Sequence, residues 1–309
     1  MPRQLVRNQD LASDTARLNL LVNGGFERWQ RGDGPFTGNG VMGADRWQNS
    51  IGGATTISVQ RTQSIVDASL NAASITVANY DGVNPASIYQ HLNDIEYNYQ
   101  LMLRTMSFSC RVQASIANAV RLEVFAAGGV SAASAYHPGD GTWRTLTCTI
   151  VRNVNNGSTD LHLRVYGNGT VYADNAMLVV GMVPADYVPL HPADDLARCL
   201  RYYQRWNNDS SSAYWAVGST QANATDHYSM LPFKAQFPGT PSFTYAMTVQ
   251  MINAPLTASS PGPSSFTMVN NSLSTGLMKF TTAAAFNTAG AVCYLGAGPN
   301  GWFALEYNP

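Results

Sequence analysis

The fold is decided by a stretch in which apolar and polar side chains alternate strictly, Met106-Ser107-Phe108-Ser109-Cys110-Arg111-Val112. Alternation with a period of two is typical of a β-strand that buries one face and exposes the other to water. The pattern returns at Val120–Val124, Leu146–Ile150 and Leu161–Val165, with turn clusters such as His137-Pro138-Gly139-Asp140-Gly141 between the stretches. Short strands at this spacing, with no helix between them, predict an antiparallel β-sandwich rather than β-α-β units.

The second half of the chain repeats the alternation. Residues 243–251 alternate, and shorter runs follow at 266–269, 277–281, 291–295 and 302–307. These runs predict a second, smaller β domain with a sandwich-like arrangement. The chain is therefore expected to be all-β.

Two segments have the spacing of amphipathic helices instead. The first covers residues 10–21. The second runs from Pro192 to Trp206, because Pro192 fits a first helical turn and two aspartates follow at the positive end. Its apolar stripe consists of Leu196, Cys199, Leu200 and Tyr203. We therefore divide the chain into an N-terminal segment (1–20), a first β domain (21–191), a linking helix (192–207) and a second β domain (208–309).

The composition excludes several classes of protein. Charged residues make up 12% of the chain, against about 25% in typical globular proteins. The 18 basic and 19 acidic residues give a formal net charge of -1, so nucleic-acid binding is not expected. No stretch approaches the about 18 consecutive apolar residues of a membrane span, and no secretory signal opens the chain. The four cysteines match no metal motif and are expected to be reduced.

The sequence carries no catalytic signature. The five histidines lack the H-x-x-x-H spacing of zinc proteases, and no G-x-S-x-G elbow is present. Residues 296–301 fit G-x-G-x-x-G, but Pro299 within them suits a hairpin turn better than a dinucleotide site. Glu123 lies among outward-facing strand residues and is expected to be a solvated charge. We therefore expect no enzyme, although folding could still bring two carboxylates together as in a glycoside hydrolase.

The aromatic residues are the best candidates for ligand binding. An aromatic face surrounded by Asn, Gln and Ser can stack against a sugar while the amides bond its hydroxyls. Trp29, Trp47 and Trp143 are expected to belong to the core of the first domain. Tyr214 and Trp215 follow a Ser-rich loop and are candidates for an exposed glycan-binding pair, with burial in the second domain as the alternative.

The first domain opens with a motif that resembles a family of bacteriophage tail and fibre proteins. The motif is Leu20-Leu21-Val22-Asn23-Gly24-Gly25-Phe26-Glu27-Arg28-Trp29-Gln30-Arg31-Gly32, followed by Ala44-Asp45-Arg46-Trp47. Ile88-Tyr89-Gln90-His91-Leu92 is similar to the family's "YQ" strand. Ala197-Arg198-Cys199-Leu200-Arg201-Tyr202-Tyr203-Gln204 is similar to its "LxxCQRYYQ" helix, with Leu200 where Gln is usual.

The first domain also resembles jelly-roll carbohydrate-binding modules, which begin with "NGxFE" and end in an acidic strand. In those modules the opening Glu and the closing Asp often share a structural calcium ion. The resemblance places Glu27 and Asp174 in these roles, and carboxylate oxygens suit calcium. Asn175 stands where a second Asp is common, which removes one charge from such a site.

The resemblance implies a non-enzymatic virion structural protein: a fibre, spike or appendage component that binds a host-surface glycan. Such a protein is assembled in the host cytoplasm, and it requires no cofactor beyond the implied calcium. Residues 1–20 would attach it to other phage structural proteins. A polysaccharide depolymerase and a ligand-free structural spacer remain alternatives.

We also expect a homotrimer. Phage fibres are commonly trimers, and an apolar helical stripe between two sandwiches must be covered by something. Coverage by symmetric copies would place Leu196, Cys199, Leu200 and Tyr203 at the interface; coverage by the chain's own domains is the alternative.

Overall fold

The computed structural model describes residues 19–63, 69–93, 101–154, 157–207, 213–220, 226–246, 249–253, 263–271, 273–282, 292–297 and 302–307. The chain divides into two compact units, Met1–Cys199 together with Pro309, and Leu200–Asn308. No helix among the described residues has the length and apolar character to cross a membrane.

The first unit is an antiparallel β-sandwich, which confirms the predicted fold class. Its strands are β1 (Phe36–Thr37), β2 (Gln48–Ser50), β3 (Thr56–Gln63), β4 (Asn71–Ala78), β5 (Ala86–Leu92), β6 (Thr105–Ala114), β7 (Val120–Ala126), β8 (Val130–Ala133), β9 (Trp143–Val151), β10 (Thr159–Val165) and β11 (Gly169–Val180). One sheet has the order β1-β3-β4-β11-β6-β9, and the other has the order β2-β5-β10-β7-β8. The four alternating stretches are strands β6, β7, β9 and β10.

The apolar phase of these strands forms one core between the two sheets. Phe108 and Ile75 reach it from the six-stranded sheet, and Ile88, Leu122 and Leu163 reach it from the five-stranded sheet. Each of these side chains is fully buried. The alternation therefore sorts the side chains of both sheets into a shared core and two outer faces.

The Asn23 side chain holds the two parts of the opening motif together, and we call residues 20–32 and 44–47 the clip. The Asn23 Oδ1 accepts the Arg28 N–H at 2.9 Å, and its Nδ2 donates to the carbonyls of Arg28 at 2.9 Å and Asp45 at 3.2 Å. The Trp47 Nε1 donates to the Asn23 carbonyl at 3.0 Å. Asn23 itself has a φ of 54°, which asparagine tolerates better than most residues. One side chain thus ties both halves of the motif together.

The two glycines of the motif lie against the closing strand. The Gly24 carbonyl accepts the Ala176 N–H at 2.8 Å. A Cβ on Gly24 would lie 2.2 Å from the Ala176 carbonyl oxygen, and a Cβ on Gly25 would lie 2.3 Å from the Tyr187 hydroxyl oxygen. The backbone approach excludes any side chain at position 24, whereas a side chain at position 25 would require the Tyr187 side chain to move.

Helix α1 (Pro192–Leu200) packs onto the clip. The Arg28 Nε lies 3.3 Å from the Asp195 Oδ2, and its Nη2 donates to the Pro192 carbonyl at 2.6 Å. The Arg198 Nη1 donates to the Asn19 carbonyl at 2.9 Å. Cys199 is fully buried. The helix therefore completes the first unit.

The predicted extent of both helices is wrong at the C-terminal end. The linking helix was expected to reach Trp206, but Tyr203–Asn207 forms strand β12. The aromatic residues of this segment favour a strand, and the Gln204 Nε2 donates to the Leu200 carbonyl at the helix end at 2.9 Å. Asn19–Leu21 is not helical either, because the Asn19 side chain bonds to β11. The rest of the predicted first helix, through residue 18, lies outside the described residues.

The second unit also consists of antiparallel sheets. Its strands are β12, β13 (Ala213–Thr220), β14 (Asp226–Pro232), β15 (Ser242–Ala246), β16 (Val249–Asn253), β17 (Pro263–Asn271), β18 (Thr275–Thr282), β19 (Val292–Ala297) and β20 (Trp302–Glu306). They form a sheet β12-β20-β15 and a sheet β16-β19-β13-β14-β18-β17. The stretch expected to alternate as one strand over 243–251 contributes β15 and β16 to different sheets.

We predict that Gly24→Ala lowers the free energy of unfolding of the first unit by about 2 kcal/mol or more, because the new Cβ overlaps a backbone carbonyl. Chemical denaturation followed by tryptophan fluorescence measures the loss. Gly43→Ala is the control, since its Cβ would meet side-chain carbons no closer than 3.4 Å. Equal losses in the two variants would contradict the role given to Gly24.

Candidate functional site

The outer face of the five-stranded sheet gathers aromatic and charged side chains. Strand register places Tyr89, His162 and Glu123 in one row across β5, β10 and β7, and places His91, Asp160 and Phe125 in the next row. We call this surface the aromatic–charged face, and it consists of Ser87, Tyr89, His91, Arg121, Glu123, Phe125, Asp160, His162 and Arg164, with Tyr136 and Tyr166 at its border.

His162 lies at the centre of this face and is buried by its neighbours. The Tyr89 ring stacks on it at 4.7 Å between ring centres, and the Phe125 ring meets it edge-on at 5.4 Å. The Ser87 Oγ lies 3.0 Å from the His162 Nδ1. Burial, assisted by the positive charge of Arg164, lowers the pKa of His162 to about 4. The ring is therefore neutral at pH 7.

Glu123 was expected to be a solvated charge, and this expectation is wrong. Its side chain does point away from the core, but it is only 5% exposed. The Arg121 Nε donates to the Oε1 at 2.7 Å, the Arg164 Nη1 lies 3.2 Å from the Oε2, and the Tyr166 hydroxyl also donates to the Oε1. Two arginines and a tyrosine thus cover a carboxylate that a single strand would leave in water.

The arginines also hold aromatic rings in place. The Arg121 guanidinium carbon lies 4.7 Å from the ring centre of Tyr136 and 5.2 Å from that of Tyr166. The Arg164 guanidinium carbon lies 4.7 Å from the Phe125 ring centre. Such stacking fixes a ring without hiding it from solvent on its other side. The face is therefore a preformed set of half-exposed rings.

The remaining polar groups of the face are paired as well. His91 Nδ1 is hydrogen-bonded to the Asp160 carboxylate, and the Tyr89 hydroxyl donates to the Gln48 Oε1 at 2.6 Å. Burial raises the pKa of Tyr89, so its hydroxyl stays protonated and able to donate. The carboxylates of Glu123 and Asp160 thus each lie within hydrogen-bonding distance of a polar side chain.

The structure brings the predicted calcium ligands Glu27 and Asp174 together. The Ser69 Oγ lies 3.0 Å from the Glu27 Oε1 and 3.2 Å from the Asp174 Oδ1. Glu27 is held by the loop that precedes β4, since its oxygens accept the Leu70 N–H at 2.6 Å and the Asn71 Nδ2 at 2.7 Å. The two carboxylates therefore share one hydroxyl group.

Asp174 has the features of a cation ligand. Its Oδ1 accepts the Asn175 N–H at 2.7 Å, whereas its Oδ2 is buried and has no hydrogen-bond partner. Burial raises the pKa of Asp174 to about 7. A buried carboxylate oxygen without a donor suits a hard cation, so the residues fit calcium. Within the described residues, no group of three or more His, Cys, Asp or Glu side chains forms a metal cluster, and backbone or amide oxygens would have to complete such a site.

The other predicted site residues are not gathered into one place. Tyr214 and Trp215 belong to β13 by backbone, but their side chains lie outside the described residues. In the predicted interface stripe, Cys199 and Tyr203 are buried, and Leu196 and Leu200 are half-buried. The surface that the stripe offers to another chain is therefore reduced to Leu196 and Leu200.

Two of the three tryptophans predicted to belong to the core do so, since Trp29 and Trp47 are buried there. The prediction is wrong for Trp143, which is partly exposed on the outward phase of β9, with the Arg111 guanidinium carbon 5.5 Å from its ring centre. Of the four cysteines predicted to be reduced, Cys110, Cys148 and Cys199 are free thiols, and the side chain of Cys293 lies outside the described residues.

Comparison with known proteins gives distant structural likenesses. No known protein family matches the chain, and no curated protein matches it. A family 11 carbohydrate-binding module from Clostridium thermocellum, solved with a mixed-linked tetrasaccharide, has a TM-score of 0.33 and 12% identity, and the match covers 48% of this chain and 97% of that one. The N-terminal CBM22-1–CBM22-2 tandem domain of Xyn10C from Paenibacillus barcinonensis has a TM-score of 0.34 and 13% identity over 93% and 95% of the two chains.

The enzymatically active domain of tailspike protein 4 from bacteriophage CBA120 has a TM-score of 0.36 and 12% identity. The match covers 55% of this chain and 23% of the tailspike chain. This chain thus spans about a quarter of the tailspike structure. The fold described above is established by the strand pairing of the chain itself.

The pKa of His162 makes the stability of the first unit pH-dependent. The unfolded chain binds a proton with a pKa near 6.5 and the folded chain with a pKa of about 4. Stability is therefore complete above pH 6.5 and falls as the pH is lowered towards 4, by about 2–3 kcal/mol. We predict that the free energy of unfolding of His162→Gln falls less between pH 6.5 and pH 4 than that of the unchanged protein, as measured by chemical denaturation. His191→Gln, at an exposed histidine, is the control. An equally reduced pH dependence in His191→Gln would contradict the role given to His162.

Proposed function

We propose that the chain is a bacteriophage virion structural protein whose first unit binds a host-surface glycan without catalysis, through the aromatic–charged face. The observation that carries this proposal is the set of partly exposed rings on this face. Arg121 and Arg164 hold those of Phe125, Tyr136 and Tyr166 in place, and the Tyr89 ring stacks on His162. Rings of this kind can stack on sugar rings, and the surrounding polar groups can bond to hydroxyls. The rings are already ordered, so little conformational entropy is lost on binding.

The pairing of charges favours a neutral glycan. Arg121 and Arg164 both contact Glu123, and His91 contacts Asp160. An acidic sugar would have to compete with these carboxylates for the guanidinium groups. A neutral sugar can bond to the paired groups without separating them, and its binding should depend little on salt.

The same pairing favours binding over hydrolysis. A glycoside hydrolase needs one carboxylic acid that protonates the leaving oxygen and a second carboxylate on the other side of the bond. Glu123 already accepts hydrogen bonds from three side chains and is only 5% exposed. It is therefore poorly placed to transfer a proton to a substrate.

We predict that Tyr136→Ala weakens glycan binding about tenfold, which corresponds to about 1.4 kcal/mol of lost stacking. A printed array of bacterial surface polysaccharides identifies the glycan, and isothermal titration calorimetry measures its affinity. Tyr172→Ala is the matched control, because Tyr172 is a partly exposed tyrosine on strand β11 of the other sheet. Absence of binding on the array would favour a ligand-free spacer. A fall in the viscosity of the bound polysaccharide would show a depolymerase.

The virion assignment is supported by the motifs of the opening segment and the helix that resemble phage tail and fibre proteins. In this assignment residues 1–20 attach the protein to the particle and to its other structural proteins. A chain without residues 1–18, which keeps Asn19 and its bonds to β11, should fold and bind glycan but should not join particles. Assembly of this shortened chain into particles would contradict the attachment role.

We also propose that Glu27 and Asp174 hold a structural calcium ion, which the buried, unpartnered Asp174 Oδ2 supports. Calcium in excess should then raise the midpoint temperature of thermal unfolding above that in EDTA. At 100 times its Kd, calcium should add about 2–3 kcal/mol to the free energy of unfolding. We predict that Asp174→Ala abolishes this difference while Asp186→Ala, at an exposed aspartate, preserves it. Identical midpoints in calcium and EDTA would contradict the proposal.

We propose a homotrimer in which the half-buried Leu196 and Leu200 contact symmetric copies. Light scattering of the purified protein should give three times the chain mass of 33.3 kDa. We predict that Leu200→Asp separates the chains and leaves the first unit folded, as judged by its unfolding transition. A trimer that persists in Leu200→Asp with lowered thermal stability would show that the helix packs only within its own chain.

A further inference from the structure

A polar cleft of about 360 Å³ lies on the outer face of the six-stranded sheet, on the opposite side of the sandwich from the aromatic–charged face. Its floor comes from β6 and β9, where register pairs Arg111 with Thr145 and Ser109 with Thr147. The segment that follows β11 forms its wall through Asp186 and other residues. Sites for small molecules begin at about 300 Å³, so the cleft is large enough for a single sugar unit.

One buried polar atom in the lining of this cleft lacks a partner. Asn175 is only 8% exposed, and its Oδ1 accepts no hydrogen bond from any described residue. The residue lies in the β-bulge between Asp174 and Met177 and has a φ of 51°. A bulge can redirect a side chain away from the regular ladder. A buried acceptor left unsatisfied destabilises the fold, and a ligand that donates a hydrogen bond to it removes this penalty.

We propose that this cleft is a second glycan site that binds one neutral sugar unit. Other ligand classes fit the lining less well. An anion would meet the carboxylate of Asp186, a cation would meet the guanidinium of Arg111, and an apolar ligand would leave the Thr145 and Thr147 hydroxyls unpaired. Sugar hydroxyls both donate and accept, so they can satisfy the Asn175 Oδ1, the threonine hydroxyls and the guanidinium together.

The lining also indicates how the sugar is held. Tyr187 is the aromatic residue among those that line the cleft, and it is half-buried. The floor offers hydroxyls rather than a flat ring, so binding relies on hydrogen bonds instead of stacking. A cleft of this size with a polar floor suits the terminal unit of a glycan, whereas the aromatic–charged face suits ring stacking along a chain.

The test uses the full chain carrying Tyr136→Ala, so that weakened stacking on the aromatic–charged face does not obscure the cleft. D-glucose, D-galactose, D-mannose and L-rhamnose are titrated separately, with sodium sulfate as an anionic probe, and amide chemical shifts are followed by NMR. At least one sugar should shift the amides of Ser109, Thr147 and Asn175. Adding Thr147→Val should weaken its binding about three- to tenfold, the effect of one lost hydrogen bond.

Thr149→Val is the matched control. Thr149 is the next exposed threonine along β9, and it does not belong to the lining of the cleft. This variant should bind the sugar as tightly as the chain with Thr149.

Asn175→Gly provides a second variant, because glycine adopts the same positive φ without strain, and it should also weaken binding. Three results would each overturn the proposal. In the first, no sugar shifts these amides. In the second, Thr147→Val and Asn175→Gly leave the affinity unchanged, and in the third, sulfate alone binds saturably. The two sites can also be told apart. If Tyr136→Ala no longer binds glycan on the array but still binds a sugar in the cleft, the cleft is a site distinct from the aromatic–charged face.

Discussion

The first unit depends on the approach of two backbones, Gly24 and Ala176. Strand β11 lies inside the six-stranded sheet, between β4 and β6, and its N–H at Ala176 bonds to the Gly24 carbonyl at 2.8 Å. The Asn19 side chain bonds to the Ala176 carbonyl at 3.1 Å and to the Leu178 N–H at 3.0 Å. The opening of the domain is therefore fastened to its last strand. Any residue larger than glycine at position 24 would push these two segments apart.

These contacts explain why the opening motif and the helix motif, which are far apart in the sequence, belong to one structural unit. The opening motif forms the clip around Asn23, and helix α1 docks on the clip through Arg28, Asp195 and Arg198. The residues that carry the resemblance to phage proteins are thus mainly residues that hold the fold. They hold an architecture, whereas most side chains of the aromatic–charged face lie on β7 and β10, outside these motifs.

Strands in which apolar and polar residues alternate could be predicted from the sequence. Features that depend on which strands pair with one another could not. The alternation around Phe108 identified strands and core because burial on one face leaves that pattern along one strand. The buried state of Glu123 comes from Arg121 on its own strand and from Arg164 and Tyr166, which follow it by more than 40 residues, and so cannot be read from its own segment. The helix ended early for a similar reason, since Tyr203–Asn207 is stabilised as a strand by its partner β20. One available signal was missed: the outward phase of β5, β7 and β10 carries Tyr89, His162 and both arginines.

The two outer faces of the sandwich differ in how they would recognise a ligand. On the five-stranded sheet, Arg121 and Arg164 neutralise Glu123 and at the same time support aromatic rings, so one network supplies both charge balance and flat contact area. On the six-stranded sheet, Thr145 and Thr147 present hydroxyls beside Arg111, and the bulge at Asn175 leaves an acceptor without a partner. The first arrangement would accept any sugar that presents an apolar C–H face, because stacking needs few directed hydrogen bonds. The second would discriminate among sugars, because each hydroxyl would have to meet a fixed partner. Under the two proposals, a single sandwich would combine affinity for a polysaccharide with selection of its terminal unit.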